Sequence, residues 1–289
     1  MPETLRVAVD AGVCRITLAR PEAYNTITPQ LREELETALR DADADRESRV
    51  VLLDAEGPAF CAGYGLDWAT PAQAAEVTGG SVETGESRVW DSVRDQRMIG
   101  RFTETWALLH ELPTPSIAAV QGWCIAGGTN IVFNADLIVA AEDARFGYPP
   151  SRVWGVPEAP WTWVARMGLE RAKRYMLTGD EFSGAEAAAM GIVLEAVPAD
   201  DLAERSLALA RRMAQVPANQ LSMIKTALNE VARQSYDPRG SRLLGTLFDG
   251  VARHTQEGLD FVQRSADVGF REAVRERDRP FGDYGERGS

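Results

Sequence analysis

The feature that most constrains this fold is a series of short, wholly apolar runs separated by stretches of helical pattern. Such runs lie at residues 50–53, 117–120 and 137–140. A strand with no polar face is covered on both sides, which is typical of parallel sheets flanked by helices. A helix is predicted to begin near Gly127, between the second run and the third. These repeated strand–helix units predict an α/β fold.

The N-terminal part of the chain predicts a β-hairpin followed by a helix. Residues 6–9 and 13–18 are rich in β-formers, and they are joined by a turn sequence that ends at Gly12. Thr28 is placed to cap a helix. Apolar residues then recur at helical spacing, which predicts an amphipathic helix over 29–43.

The second half of the chain is mostly helical in pattern. Ser183 and Glu186 have the spacing of a capping box, for a helix that ends near Gly191. Asp200 is expected to cap a further helix. In the first half, residues 70–90 contain three glycines among polar residues, which predicts a mobile loop.

Composition excludes several classes of function. The 31 Lys and Arg against 43 Asp and Glu give a net charge of −12, which argues against nucleic acid as a partner. Three Cys without CxxC spacing and two His make a metal site or a disulfide framework improbable. The start shows no signal peptide, and the longest uncharged stretch, residues 112–135, is interrupted by Pro and Gly. We therefore expect a cytoplasmic protein with no membrane segment.

Two glycine-rich segments follow predicted strands. The first, residues 60–67, contains Gly63 and Gly65 but lacks the third glycine of a dinucleotide-binding fingerprint. The second, residues 122–130, places Gly127 at a helix start, where unpaired N–H groups and the helix dipole stabilise an anion. Either segment alone is more often a tight turn made for packing.

Together, and in this order, the two segments resemble those of the crotonase superfamily, which includes enoyl-CoA hydratases and isomerases. The matching motifs lie at residues 16–25, 60–64, 119–128, 136–147 and 177–198. The resemblance implies an α/β, crotonase-like spiral of ββα units with a helical C-terminal section. Residues 1–200 would form the spiral core with the active site, and residues 201–289 a section for trimerisation or a lid. Members of the family usually form trimers or dimers of trimers, so a homotrimer or hexamer is expected.

The resemblance also implies a site for an acyl-CoA thioester substrate. The backbone N–H groups of Tyr64 and Gly127 would hold the thioester oxygen and stabilise an enolate. Coenzyme A enters as part of the substrate, and no separate cofactor or metal is implied. Ala62, Gly65 and Leu66 would lie along the CoA. Further candidates for substrate contact are Trp123 and Tyr148 for the acyl group, and Arg20, Arg271 and Arg275 for the CoA phosphates.

The chain departs from the hydratase pattern at both catalytic glutamates. Their positions are taken by Asn130 and Pro150, neither of which exchanges a proton near neutral pH. Glu158 lies where dienoyl-CoA isomerases and 4-chlorobenzoyl-CoA dehalogenase carry a catalytic aspartate. Neighbouring tryptophans at 154, 161 and 163 would desolvate it and raise its pKa. The alternative is an exposed glutamate near a helix start, where acids are favoured.

Three hypotheses follow from these residues. The first is an acyl-CoA enzyme of the hydratase/isomerase group, with Glu158 as general acid or base and Asn130 able to orient water. The second keeps the oxyanion hole and uses Glu158 as a nucleophile in hydrolysis or dehalogenation. The third is a catalytically silent acyl-CoA-binding protein. Weaker candidates for a role in the site are His110, His254, Asp67, Asp91 and Asp95.

Overall fold

The computed structural model describes residues 3–64 and 92–284, which form two sheets and their covering helices. The strands are β1 (Leu5–Asp10), β2 (Val13–Leu18), β3 (Val50–Ala55), β4 (Ala59–Cys61), β5 (Ser116–Val120), β6 (Trp123–Ile125), β7 (Leu137–Ala141), β8 (Arg145–Gly147), β9 (Phe182–Ser183) and β10 (Glu195–Val197). One sheet has the order β1-β2-β3-β5-β7-β10, and the other has the order β4-β6-β8-β9. Successive strands from β3 to β8 alternate between the two sheets. This alternation produces the predicted spiral and confirms the α/β fold.

The described helices begin with α1 (Pro29–Ala44), α2 (Ser92–Glu111), α3 (Gly127–Phe133), α4 (Pro160–Met167), α5 (Leu169–Thr178) and α6 (Gly184–Ala189). They continue with α7 (Leu202–Met213), α8 (Ala218–Tyr236), α9 (Pro238–Ala252), α10 (Gln256–Val268) and α11 (Phe270–Asp278). Helix α7 packs on β3, β5 and β7 and so covers the six-stranded sheet, whereas α9 lies against α2 and α4. The C-terminal section predicted from residue 201 therefore starts with a helix of the core. No helix within the described ranges is long and apolar enough to cross a bilayer.

The apolar runs become the central strands of the larger sheet. β3, β5 and β7 are parallel neighbours, with Leu52 opposite Ile117 and Ile117 opposite Leu137. Every residue of β5 is buried, as is most of β3 and β7. Their lack of a polar face is therefore explained by helices or sheet on both sides.

Local sequence signals account for most element boundaries. The Thr28 hydroxyl accepts a hydrogen bond from the Leu31 N–H at 3.1 Å, which confirms the predicted cap of α1. The capping box at Ser183 and Glu186 is also confirmed, with both reciprocal bonds present. The hairpin turn between β1 and β2 uses Gly12 at a φ of +84°.

The predicted cap at Asp200 is wrong. Asp200 lies inside a 3-10 turn, Ala199–Asp201, that leads directly into α7. The residue before α7 is Asp201, whose φ of −92° and ψ of −12° are helical, and its side chain makes no capping bond. Side-chain capping requires an extended residue at that position, and the preceding turn prevents it. The mobile loop predicted at residues 70–90 lies outside the described residues.

The end of the described chain is tied to the core around Arg152. The Arg152 guanidinium bonds both carboxylate oxygens of Asp283 at 2.7 Å and one oxygen of Asp278 at 3.0 Å. It also lies 3.8 Å from the centre of the Phe281 ring. The side chains of Arg152 and Asp278 are each 2% exposed, so this ion cluster is shielded from solvent.

We expect Arg152→Met to lower the free energy of unfolding by about 3–5 kcal/mol, because it leaves the buried Asp283 carboxylate without its cation, whereas Asp278 keeps Arg277. Urea unfolding followed by circular dichroism measures the change. The control is Arg174→Met, since Arg174 pairs with Asp180 at 2.6 Å but is 56% exposed. A loss of less than about 1 kcal/mol is expected there. Equal losses of unfolding free energy in the two variants would contradict the claim that burial makes the Arg152 ion pairs more stabilising than the exposed pair.

Candidate active site

The two glycine-rich segments lie side by side at the end of a parallel strand pair. β4 and β6 are neighbours, with Cys61 opposite Cys124. Three residues further along each segment are Tyr64 and Gly127. A Cβ atom added at Gly127 would lie 2.9 Å from Cε2 of Tyr64, so the two residues are in direct contact.

Gly127 is required by close packing at the start of α3. An added Cβ atom would lie 2.5 Å from Cδ1 of Ile27, which is too close for any side chain. The preceding residue, Ala126, has a φ of +51° and a ψ of −120°, a strained conformation that turns the chain from β6 into the helix. The Gly127 N–H has no acceptor among the described residues, as expected in the first turn of a helix.

Glu158 is the carboxyl group that the fold brings to this place. It is 1% exposed, so the alternative of an exposed glutamate is wrong. The Tyr64 hydroxyl donates to Oε2 of Glu158 at 2.9 Å, and the Asn130 amide nitrogen donates to the same oxygen at 3.0 Å. The other oxygen, Oε1, accepts no hydrogen bond from the described residues. Residues that are 94 and 28 positions away in the sequence therefore converge on one carboxyl group.

Burial raises the pKa of Glu158 to about 8, and the negative charge of Asp249 adds to the effect. The hydrogen bonds from Tyr64 and Asn130 and the charge of Arg253 favour the ionised form, but burial outweighs them. Glu158 is therefore mostly protonated at neutral pH. Burial, followed by the charge of Glu158, also raises the pKa of the Tyr64 hydroxyl. Glu158 therefore carries a proton that can be transferred near neutral pH, whereas Tyr64 stays a neutral hydrogen-bond donor.

The Asn130 amide nitrogen donates to Glu158, and the ability of Asn130 to orient water stays a prediction. Its Oδ1 atom is buried and has no hydrogen-bond partner among the described residues. A buried amide oxygen without a partner is uncommon in proteins. The geometry therefore leaves one acceptor open beside the Glu158 carboxyl group.

Two charged residues near Glu158 were not predicted from the sequence. Asp249 is buried on α9, and Arg253, the partly exposed residue that follows α9, lies one turn further along, with a carboxylate–guanidinium distance of 2.6 Å. Asp249 also accepts a bond from the Val156 N–H at 3.4 Å. In the sequence the two residues look like an ordinary exposed pair at i and i+4, so no local signal marked them.

The remaining candidates for substrate contact have other partners in the structure. The Tyr148 hydroxyl donates to the Val156 carbonyl at 2.9 Å, which supports the loop that carries Glu158. The Trp123 ring lies 6.2 Å from that of Tyr284. The Arg20 N–H donates to the Asn25 side chain, and the Ala62 N–H donates to the Tyr24 carbonyl. The residues Gly65, Leu66, Asp67 and Asp91 lie outside the described residues.

Each of the three tryptophans near Glu158 in the sequence packs against another ring. The ring contacts of Trp154 and Trp161 are with Phe261 and His110. Trp163 packs against Tyr148, which itself lies near the carboxyl group. Glu158 is desolvated by burial, and the share of the three tryptophans in that burial stays a prediction. Pro150 has no side-chain group that exchanges a proton. Its carbonyl oxygen accepts a hydrogen bond from the Gly155 N–H at 2.8 Å, which closes the turn before Glu158.

The histidines are placed away from the cluster around Glu158. Burial, followed by the charge of Lys225, lowers the pKa of His110 to about 4, so this residue is a neutral, packed side chain. The His254 ring, just after the end of α9, is hydrogen-bonded to Asp95 of α2. Within the described residues, no group of three His, Cys, Asp or Glu side chains could hold a metal ion.

Because the pKa of Glu158 is raised in the folded protein, the free energy of unfolding should depend on pH. The folded protein holds a proton on this group between the ordinary pKa of 4.5 and about 8, where the unfolded chain has lost it. The contribution is therefore complete below the ordinary pKa and is lost as pH rises toward the folded value. We expect the free energy of unfolding to fall across this window in the wild type and to fall less in Glu158→Gln. Urea unfolding at a series of pH values measures both curves, and parallel curves would contradict the assignment.

Comparison with known proteins places this arrangement in a family. The family model described as enoyl-CoA hydratase/isomerase matches residues 8–267. The chain is 30% identical to hydroxycinnamoyl-CoA hydratase-lyase of Pseudomonas fluorescens over 73% of this chain and 72% of that protein. It is 29% identical to 1,2-epoxyphenylacetyl-CoA isomerase of Escherichia coli strain K12, over 82% and 86%. A crystal structure of enoyl-CoA hydratase from Mycobacterium smegmatis is 40% identical, with a TM-score of 0.90, and the match covers 99% of this chain and 96% of that one. The chain therefore belongs to the enoyl-CoA hydratase/isomerase family of the crotonase superfamily.

Proposed function

We propose that this acyl-CoA enzyme transfers a proton next to the thioester carbonyl of its substrate, with Glu158 as the general acid and base. The observation that carries the proposal is the Glu158 carboxyl group itself, which is buried and touches both Tyr64 and Asn130. A proton-transfer group works best when its pKa lies near the working pH. The pKa of Glu158, at about 8, meets that requirement.

The backbone N–H groups of Tyr64 and Gly127 form the proposed oxyanion hole. Removal of an α-proton leaves the C–H electron pair in an enolate, whose charge is concentrated on the thioester oxygen. Two fixed N–H donors stabilise this charge without reorganisation, and one such donor is typically worth about 10²–10³ in rate. The contact of Tyr64 with Gly127 supports this pairing.

Isomerisation, or bond cleavage next to the thioester, suits the residues better than simple hydration. In an isomerisation, ionised Glu158 accepts the α-proton, the enolate forms, and the same proton returns to a different carbon as the double bond shifts. One carboxyl group is sufficient for this sequence. The hydratase glutamates are replaced by Asn130 and Pro150, so neither position supplies a second carboxyl group that could deprotonate water. Two relatives at 29% and 30% identity are named as an isomerase and a hydratase-lyase.

The nucleophilic alternative uses the same ionised form of Glu158 as the general base does, so the raised pKa does not distinguish the two. Hydrolysis through Glu158 would require a mixed anhydride on this residue, which mass spectrometry of the trapped enzyme would detect. The silent-binder alternative predicts tight binding of CoA esters without turnover across a panel of enoyl-CoA substrates.

Hydrogen–deuterium exchange at the α-carbon of a saturated acyl-CoA tests the proposal directly. The wild type should exchange this position in deuterium oxide, because enolate formation requires no further reaction. We expect Glu158→Gln to slow exchange by about 10²–10⁴-fold, since the general base is removed. Mass spectrometry of the recovered thioester measures the rate.

The matched control is Glu170→Gln, which neutralises an exposed carboxylate in the first turn of α5. We expect wild-type exchange in this variant. Full exchange in Glu158→Gln would exclude Glu158 as the base. No exchange in the wild type, together with hydrolysis of the thioester, would favour the nucleophilic alternative.

We also propose a homotrimer or hexamer, supported by exposed apolar residues on α8 and α9. These residues are Met223, Ile224, Leu228, Val231, Leu243, Leu244, Leu247 and Phe248, each at least 39% exposed. Apolar surface of this extent on neighbouring helices is typical of protein interfaces.

We expect size-exclusion chromatography with light scattering to give three or six times the mass of one chain. Leu228→Glu, within the exposed face of α8, should shift the protein toward smaller species, because it places a charge in the interface. Leu177→Glu on α5 is the control, since Leu177 is 81% exposed but lies on another helix. A monomeric wild type, or equal effects of the two substitutions, would overturn this assignment.

A further inference from the structure

Helix α9 has the reverse of the usual distribution of side chains. Its buried residues are Gly245, Thr246, Asp249 and Gly250. Its exposed residues include Leu243, Leu244, Leu247 and Phe248. A helix that covers a core normally turns its apolar side inward. The small and polar inward side of α9 lies against α2, where the Gln96 side chain donates to the Thr246 hydroxyl, and against the loop that carries Glu158.

The backbone of α9 lies directly against this loop. A Cβ atom added at Gly245 would lie 2.6 Å from the Pro157 carbonyl oxygen and 2.7 Å from the Glu158 carbonyl oxygen. One turn further along the helix, the Asp249 carboxylate accepts the Val156 N–H at 3.4 Å. Glycine allows the close approach, and Asp249 sets the position of the loop along the helix.

Asp249 is also a buried charge with one strong counter-ion. It is 4% exposed, and its second oxygen lies 2.6 Å from the Arg253 guanidinium. On α2, Asp95 faces the pair and is itself bound by His254. Tyr64 and Tyr148 face the group from the core side, and burial raises the pKa of both hydroxyls, so they add no charge near neutral pH. Within the described residues, Asp249 on α9 and Arg253 just after it are thus the charges with the largest effect on Glu158.

We propose that Asp249 is a positioning residue for Glu158: it holds the loop over residues 156–158 in place and, with Arg253, determines the charge felt by the carboxyl group. Its importance for turnover rests on the proposed function of Glu158, whereas its effect on the protonation of Glu158 does not. The assignment is supported by the opposite influences of the two residues, since the charge of Asp249 raises the pKa of Glu158 and that of Arg253 lowers it.

The test is a direct titration of Glu158 by carbon-13 NMR of glutamate-labelled protein, with the signal assigned by its loss in Glu158→Gln. We expect Asp249→Asn to lower the pKa of Glu158 by about one unit or more, because a like charge is removed and Arg253 loses its partner. Arg253→Gln should move the same pKa upward, because a cation is removed. A merely structural ion pair would give shifts in the same direction, since either substitution would loosen the same contact.

The control is Asp260→Asn on α10, which removes one exposed carboxylate bonded to Gln256. It should leave the titration of Glu158 unchanged. Shifts of the same sign in Asp249→Asn and Arg253→Gln, or no shift in either, would overturn the proposal. If Asp249→Asn does not fold, Arg253→Gln still decides, because the proposal requires an upward shift in that variant.

Turnover separates this inference from the proposed function. If exchange at the α-carbon survives Glu158→Gln, the catalytic proposal fails. The role of Asp249 in protonation still stands in that case if Asp249→Asn and Arg253→Gln shift the pKa of Glu158 in opposite directions. If both are correct, the pH dependence of exchange should move downward in Asp249→Asn by the shift that NMR measures. Unchanged pH dependence with a shifted Glu158 would contradict the link between them.

Discussion

The burial of the Glu158 carboxyl group is the constraint on which the rest of this site depends. A carboxylate without solvent is costly unless it is paired, hydrogen-bonded or protonated. Here Tyr64 and Asn130 supply two hydrogen bonds, and the raised pKa supplies the proton. The loop with Glu158, the strand pair β4–β6 and helix α9 must therefore be held together for this carboxyl group to remain inside.

Two architectural features bring these parts together. The parallel pairing of β4 with β6 places the segments after them side by side, so Tyr64 and Gly127 meet without any contact between distant helices. Helix α9 then closes the site from the C-terminal section, through Gly245 against the backbone and Asp249 against the Val156 N–H. The apolar side chains of the same helix are exposed on the surface of the chain. Assembly through that face would hold α9 against the site, which connects the proposed oligomer to the proposed chemistry.

Family membership alone would suggest hydration, but the residues of this site support another reaction. Asn130 stands where a hydratase glutamate is expected, and here it donates to Glu158. The acid and base functions that two glutamates share in hydratases therefore fall on one group in the proposal. Asp249 and Arg253 are part of that arrangement, because their charges adjust the proton affinity of Glu158.

Local patterns in the sequence determined the central strands of the larger sheet and several helix boundaries, whereas the two glycine-rich segments were singled out by their resemblance to a family. Apolar runs, the Thr28 cap and the capping box at Ser183 are short-range signals, because hydrogen bonds within a few residues decide them. The failure at Asp200 has the same origin, since an adjoining turn changed the backbone that a cap requires. Only the tertiary structure decided that Glu158 is buried and that Asp249 and Arg253 face it. Proton affinity depends on charges and solvent in three dimensions, and residues 91 and 95 positions away leave no trace in the local sequence.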